Sequence, residues 1–450
     1  MKRLMLSLVV LLFSVLALQA EENITVEFDV KNPVASNVVM VYHMSINEYP
    51  LSVEGKAKAE LNGMDAVYAK VYYGQNFRTV YMQKGDRLTI SFDGNDFDNT
   101  FSVKGGNEKA NTYLGRMQLM GLPDQTYAQN FDEFRQSVEQ KIASMVRLLK
   151  VRKFAAADKF EKMEEGRITY FYANALLMYP VSHMYMTGDT ASVVNKDYLD
   201  TVKKYVREDD DLADLDEYRN FMIETSHVFD EANRGVRQMY PKTLAEMSYI
   251  GERMSSDKVR ESLIHFLAFT YVEGNGTDNI TDLQNLYYTY VTSPVLNEQF
   301  KQACAKWDKA AVGRPSPDFN GVDINGRTFR VRDFRGKYVY IDMWATWCGP
   351  CQKELPYLKK LEEKYQGRNI TFLGLSIDKD KAKWEARVKS GALCGTQLHI
   401  GTGTQFQKDY KIGGIPHFIL LAPNGRIVNA NMTRPSSDDT EKILNSLKGL

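Results

Sequence analysis

Short runs of β-branched and aromatic residues dominate the chain from residue 23 to about 105. "NITVEFDV" (23–30), "NVVMVYHM" (37–44), "AVYAKVYYG" (66–74) and "RTVYMQKGDRLTISFDG" (78–94) are set apart by Gly, Asn and Asp. Such runs predict strands. The Gly-Asp pair in "QKGDRL" predicts a hairpin turn. A small antiparallel β-sandwich is the expectation. From 106 to about 310 the pattern changes. Gly and Pro thin out, and apolar residues recur at helical spacing in "FDEFRQSVEQKIASMVRLL" (131–149) and "ESLIHFLAFTYV" (261–272). The Tyr- and Met-rich run "ITYFYANALLMYPVSHMYM" (168–186) reads as the core of a helical layer rather than a ligand groove. Two close prolines in "AVGRPSPDFNGVDINGRTFRVRDFRGKY" (311–338) mark a boundary, followed by a hairpin. Beyond it strands at 338–344, 370–376 and 397–401 alternate with helices starting at Gly349 and near 379–390 and 404–411. Strands 417–421 and 426–431 then form a hairpin over "PNG", and a helix follows. That alternation predicts an α/β layer around a central sheet.

The chain has 450 residues, too many for one compact core, so two or three domains are expected. The segments read as 1–20, 21–105 (β-rich), 106–310 (helical) and 311–450 (α/β). Hydrophobic residues make up 44% and charged residues 25%, within the range of soluble globular proteins. Lys+Arg and Asp+Glu are both 57, so the charge balances and no domain-wide basic surface is available for nucleic acid. Lys2 and Arg3, the apolar run "LMLSLVVLLFSVLAL" (4–18) and small Ala20 before two glutamates read as a cleavable export signal. The apolar run is short for a span of about 20 residues. The expected location is therefore periplasmic or otherwise extracytoplasmic, where cysteine pairs tend to be oxidised.

The chemistry concentrates in "YIDMWATWCGPCQKELP" (340–356). Cys348 falls where a buried strand pattern hands over to a helix, with Gly349 and Pro350 in the first turn, where Pro loses no hydrogen bond. A helix N-terminus favours a thiolate, which makes Cys348 the attacking sulfur. Cys351, one turn further in, is placed to resolve a mixed disulfide and is expected to be the less exposed. Zinc needs a second pair of ligands, and Cys304 and Cys394 stand alone, so no metal site is expected. His183, His227 and His265 are scattered without ligand spacing and read as structural or surface residues. A purely structural bridge closing so small a loop stabilises little. The pair reads as redox-active. Cys304 and Cys394 could pair with each other, but free thiols are the preferred reading.

"WCGPC" resembles the thioredoxin active site, and the resemblance covers residues 311 to 450. Asp342, six residues before Cys348, matches the family's buried aspartate. Pro356, five after Cys351, matches the proline of the active-site helix. "GGIPHFILL" (413–421) matches the cis-proline loop, which implies Ile415 and Pro416 opposite the cysteines, and "PNGRIV" (423–428) matches the hairpin beyond it. The longer run from "GRPSPDF" to "CQKELP", with the extra helix at 379–390, is similar to the TlpA/ResA subgroup of secreted thiol-disulfide oxidoreductases. That subgroup carries a glutamate three residues after the second cysteine, here Glu354. The turn "QKGDRL" with "FSVKGGNEKANTYL" (101–114) resembles the β-domain that precedes thioredoxin domains in some secreted bacterial proteins.

The resemblance implies a protein-disulfide reductase that needs no cofactor. Cys348 and Cys351 form its redox disulfide, Asp342 and Glu354 handle the proton of Cys351, and Trp347, Gly349, Pro350, Ile415 and Pro416 meet the substrate. Its partners would be disulfide-containing secreted proteins and a membrane-bound electron donor, with a homodimer left open. The alternatives are a disulfide isomerase or oxidase, a partner-binding protein with an accessory redox domain, and a peroxiredoxin relative. The last would need a Pro-x-x-x-Thr-x-x-Cys setting that Thr346 does not provide.

Overall fold

The computed structural model describes residues 23–450 apart from 44, 155–158, 190–192, 231, 232, 234 and 237. The expected export signal at 1–20 lies outside the described residues. Among these, no helix is long and apolar enough to cross a membrane. The chain divides into two compact units, one ending at Phe266 and the other running Leu267–Leu450.

The first unit opens with eight strands: β1 (Ile24–Lys31), β2 (Asn37–Tyr42), β3 (Ser45–Pro50), β4 (Lys56–Leu61), β5 (Ala66–Tyr73), β6 (Asn76–Gln83), β7 (Arg87–Asp93) and β8 (Ser102–Gly105). They form two four-stranded sheets, ordered β4-β1-β7-β8 and β3-β2-β5-β6. Residues from both sheets, among them Val26, Phe28, Val38, Met40, Val71 and Ile90, share one hydrophobic cluster. Two expectations need correction. The pattern is not wholly antiparallel, because β1 and β7 run parallel. The Gly85-Asp86 turn does not close a hairpin either: β6 pairs with β5 and β7 with β1, so the chain changes sheets there. A turn dipeptide specifies reversal, whereas pairing partners are chosen by which faces bury together.

Helices follow, including Phe131–Lys150, Lys159–Thr187 and Asp257–Asn275. Tyr170, Tyr172 and Tyr179 of the second are fully buried, as a core reading requires, but Met178, Val181, Met184 and Tyr185 toward its end are exposed. The same helix sends Glu164, with no exposed surface, to accept the Tyr68 hydroxyl of β5 at 2.8 Å and two hydrogen bonds from Arg167 at 2.7 Å each. A buried carboxylate this well paired becomes an uncompensated charge if its partner goes. Arg167→Ala is therefore expected to lower the unfolding free energy by about 3–5 kcal/mol. Asp132→Ala, which breaks an exposed pair with Arg135, should change it by no more than about 1 kcal/mol. Urea denaturation of the full chain checks both.

The second unit is built on a seven-stranded sheet: β9 (Gly321–Val322), β10 (Thr328–Phe329), β11 (Tyr338–Trp344), β12 (Ile370–Ser376), β13 (Thr396–His399), β14 (His417–Leu421) and β15 (Ile427–Met432), in the order β10-β9-β13-β12-β11-β14-β15. Central β11 runs parallel to β12 and antiparallel to β14, and all seven of its residues are buried. That explains its unbroken apolar run, since a strand covered on both faces has no polar side. Tyr338, Tyr340 and Asp342 share one face by the two-residue period. That face packs on the helix Gly349–Lys364, whose Leu358 and Leu361 join the cluster of Tyr338 and Tyr340.

Candidate active site

The helix Gly349–Lys364 starts directly beyond the end of β11. Cys348 is its N-cap and accepts a hydrogen bond from the Cys351 amide at 3.1 Å. The helix buries Cys351, Glu354, Leu358 and Leu361, a stripe at three- and four-residue spacing. It leaves Gly349, Pro350 and Pro356 exposed. Cys348 and Cys351 are joined in a disulfide, with Cα atoms 5.3 Å apart. Both are equally buried at 3%, so the expected difference in exposure is absent from the oxidised pair. Cys304 and Cys394 are free. Burial raises both thiols, Cys394 to about 12 with help from the Glu362 charge, which leaves them poor nucleophiles near neutral pH.

The loop Ala345–Trp347 is held from below by a residue that sequence reasoning missed. Asp378, just past β12, is buried and accepts hydrogen bonds from the Thr346 amide (3.0 and 3.1 Å), the Thr346 hydroxyl (2.6 Å) and the Ser376 hydroxyl (2.8 Å). His399 adds a 2.8 Å contact to the Asp378 carbonyl. Nothing local marks this aspartate; its partner lies 32 residues away. Trp344 is buried and donates to Gln397 at 3.1 Å, whereas Trp347 is 68% exposed beside the disulfide. Gln397 fits because its neighbour across the ladder is Gly374, where a Cβ would sit 2.3 Å from the Gln397 amide oxygen.

Opposite the cysteines, the Ile415–Pro416 peptide bond is cis, and the Ile415 carbonyl lies 3.8 Å from Cys348 Sγ. Ile415 and Pro416 are half-buried. The loop between Gly413 and β14 thus stands against Cys348 Sγ.

Asp342 faces the helix stripe that carries Cys351 and Glu354. Its Oδ1 is buried without a hydrogen-bond partner. Burial, assisted by the nearby Glu354 charge, raises its carboxyl to about 7. Glu354 is differently placed: it accepts from the Ser436 amide at 3.0 Å and hydroxyl at 2.9 Å, with Arg434 3.9 Å away. Ser436 and Arg434 are further residues that no local motif announces. The two carboxyls therefore differ in surroundings: Asp342 has a buried oxygen without a partner, and Glu354 is supplied with donors.

The scattered histidines are accounted for. His183 Nδ1 contacts the Tyr127 carbonyl at 2.8 Å, and burial lowers His265 to about 4. Glu224, His227 and Glu246 do bring ligand atoms within 4.8 Å of one another, a proximity the sequence spacing did not suggest. Lys242 lies 3.6 Å from Glu224 and 3.5 Å from Glu246, and His227 Nε2 contacts Glu246 at 2.7 Å, so the group is an ion-pair network.

Residues 311–447 match the Redoxin family model. The chain is 32% identical over 141 residues to "Thiol-disulfide oxidoreductase ResA" of Geobacillus kaustophilus, covering 31% of this chain and 79% of that one. The protein of the same name from Geobacillus thermodenitrificans is 31% identical over 138 residues, again 31% and 79%. Among solved structures, a Bacteroides vulgatus protein determined in solution is 54% identical over 30% of this chain and 91% of its own, with TM-score 0.28. The thioredoxin domain of a Bacteroides vulgatus thiol-disulfide oxidoreductase is 31% identical over 30% and 96%, also at 0.28.

The unfolded chain releases the Asp342 proton near 3.8, the folded chain near 7. Between those values the folded state binds more protons, so stability falls as pH rises through the window. Asp342→Asn removes that penalty. Its melting temperature is expected to exceed that of the native chain more at pH 8 than at pH 5, as differential scanning calorimetry can check.

Proposed function

The chain belongs, through residues 311–450, to the TlpA/ResA-type thioredoxin-like thiol-disulfide oxidoreductases, and from that membership we propose that it works mainly as a reductase of disulfides in secreted proteins. The observation that carries the reading is the Cys348–Cys351 pair at a helix N-terminus, beneath which a strand supplies a buried carboxyl raised to about 7. In the reduced protein the Cys348 thiolate, favoured by the helix N-terminus, attacks one sulfur of a substrate disulfide. That bond breaks, one substrate sulfur leaves as a thiolate, and a mixed disulfide forms. Cys351 gives its proton to the Asp342–Glu354 pair and attacks Cys348 Sγ. The second substrate sulfur is released, and the pair closes as the disulfide. Two electrons have passed to the substrate, and an external donor must return them. A membrane-bound donor is part of the proposal.

Asp342 is assigned the proton and Glu354 the supporting charge. Trp347, Gly349 and Pro350, all exposed around the sulfurs, are assigned to the substrate surface. Ile415, whose carbonyl stands 3.8 Å from Cys348 Sγ, is assigned with Pro416 to the backbone of an extended substrate. Export places the enzyme outside the cytoplasm in this reading. We keep the division into a β-rich part (21–105), a helical part (106–310) and the redox domain (311–450), and read the two N-terminal sheets as a sandwich on the strength of their shared core.

The redox potential separates this reading from its alternatives. A value nearer the roughly −270 mV of thioredoxin is expected; one above roughly −180 mV would make the protein an isomerase or oxidase. Equilibration with glutathione or dithiothreitol buffers measures it. The second prediction concerns partners. Cys351→Ser should accumulate mixed disulfides on Cys348 with secreted cysteine proteins, seen as high-mass bands that dithiothreitol dissolves. No such adducts in the native host would count against protein substrates.

A further inference from the structure

The helix Lys381–Lys389 is tied to the redox loop and the redox helix by contacts at both of its ends. At one end Asp378 holds the Thr346 amide and hydroxyl, so Lys379, the next residue, lies beside the loop that carries Trp347. At the other end Arg387 donates to the Gln352 side chain at 2.7 Å, next to Cys351. Lys383 precedes Arg387 by one turn and shares its face of the helix. Trp384 is fully buried and anchors the helix, its ring 5.4 Å from that of His399 of β13.

The run "KDKAKWEARVK" (379–389) sets Lys379, Lys381, Lys383, Arg387 and Lys389 against Asp380 and Glu385. Both acids are occupied. Asp380 caps its own helix, accepting the Ala382 amide at 3.0 Å, and Glu385 lies 3.6 Å from Lys381. Asp378 and Glu354 are engaged as well, the first with Thr346 and Ser376 and the second with Ser436. Asp342 keeps its proton to about 7. Lys379 and Lys383 are exposed and form no ion pair with the described residues, and neither does Lys353 of the redox helix. The Arg387 guanidinium meets a neutral amide and no carboxylate. The surroundings of the pair are left with surplus positive charge.

We propose that the reductase site selects disulfides flanked by acidic residues, because Lys353, Lys379, Lys383 and Arg387 form a basic rim on one side of Cys348 and Cys351. The inference rests on the reductase reading above and names its substrate class. Carboxylates of the substrate segment meet the rim as its disulfide reaches Cys348 Sγ. Each pair formed there is exposed and contributes little by itself; the summed field draws and orients an acidic segment. That field is screened by salt, since the Debye length shrinks from about 10 Å at 0.1 M to about 3 Å at 1 M.

In the test the full-length protein is reduced with dithiothreitol, freed of excess reagent, and mixed with either of two peptides. Each peptide carries one internal disulfide, and they differ only in having aspartate or lysine beside it. Every exchange passes two electrons, closing Cys348–Cys351 and leaving two peptide thiols, which are counted with time. Each rate is divided by that of the same peptide with dithiothreitol alone, which removes the effect of flanking charge on the disulfide itself. At low salt the aspartate peptide is expected to react about tenfold faster on this scale, with the difference gone near 1 M salt. Lys379→Glu combined with Lys383→Glu should reverse the order, while Lys448→Glu, beside Tyr338 at the far end of β11 from Cys348, keeps it. Equal rates for the two peptides would overturn the inference and leave the reductase reading standing, as would a preference that the folded double variant retains. Reduction of neither peptide would overturn both.

Discussion

Everything around the redox pair follows from one costly placement: a carboxylic acid in the middle of a strand buried on both faces. Asp342 sits in β11 between Ile341 and Met343, both without exposed surface. It pairs across the ladder with Gly374 on one side and Phe418 on the other. Water is excluded, so the charged form is disfavoured and the proton stays until near neutral pH. A carboxyl held in its neutral form until near pH 7 is a perturbed group of the kind that functional sites collect.

The same constraint shapes the neighbouring elements. The helix Gly349–Lys364 must cover the face on which Asp342 lies, and in doing so it brings Cys351 and Glu354 over it on a single stripe. Glu354 can be tolerated there because the loop after β15 offers Ser436 donors from outside. The loop that precedes Cys348 is then free of regular ladder bonds and needs an anchor. Asp378 provides one by accepting both the amide and the hydroxyl of Thr346. Two aspartates thus have opposite environments: Asp378 is surrounded by donors, and Asp342 has a buried oxygen with none.

The first unit poses a different problem, since its sheets end in edges rather than closing. At one such edge Asn111 closes on Tyr81 of β6 as a neighbouring strand would, accepting from its amide at 2.8 Å and donating to its carbonyl at 2.9 Å. Of the relatives compared, the two ResA proteins align over about a third of this chain, so what the first unit contributes must be argued from its own residues.

The linear order of residues by itself determined the elements of residues 311–450 and their cysteine site. Tyr338–Trp344 and Ile370–Ser376 appear with the expected bounds because continuous apolar runs next to Gly and Asn leave little choice. Cys348 caps a helix whose first turn takes Gly-Pro without losing a hydrogen bond. Asp342 was visible as the polar interruption of an apolar strand, and Glu354 through family resemblance. What the sequence could not determine was pairing over distance. The short, polar strands β3, β4 and β8 carry too little apolar signal to announce themselves. The Gly85-Asp86 turn looked like a hairpin, yet the chain changes sheets there, because turn chemistry is local and burial is not. Asp378, Ser436 and Arg434 entered the site only through contacts bridging 32 to 82 residues. The closure of Asn111 on β6 exists only because residues 30 apart meet in the packed chain. Hydrogen-bond partners and burial are properties of the packed whole, and only the tertiary structure decides them.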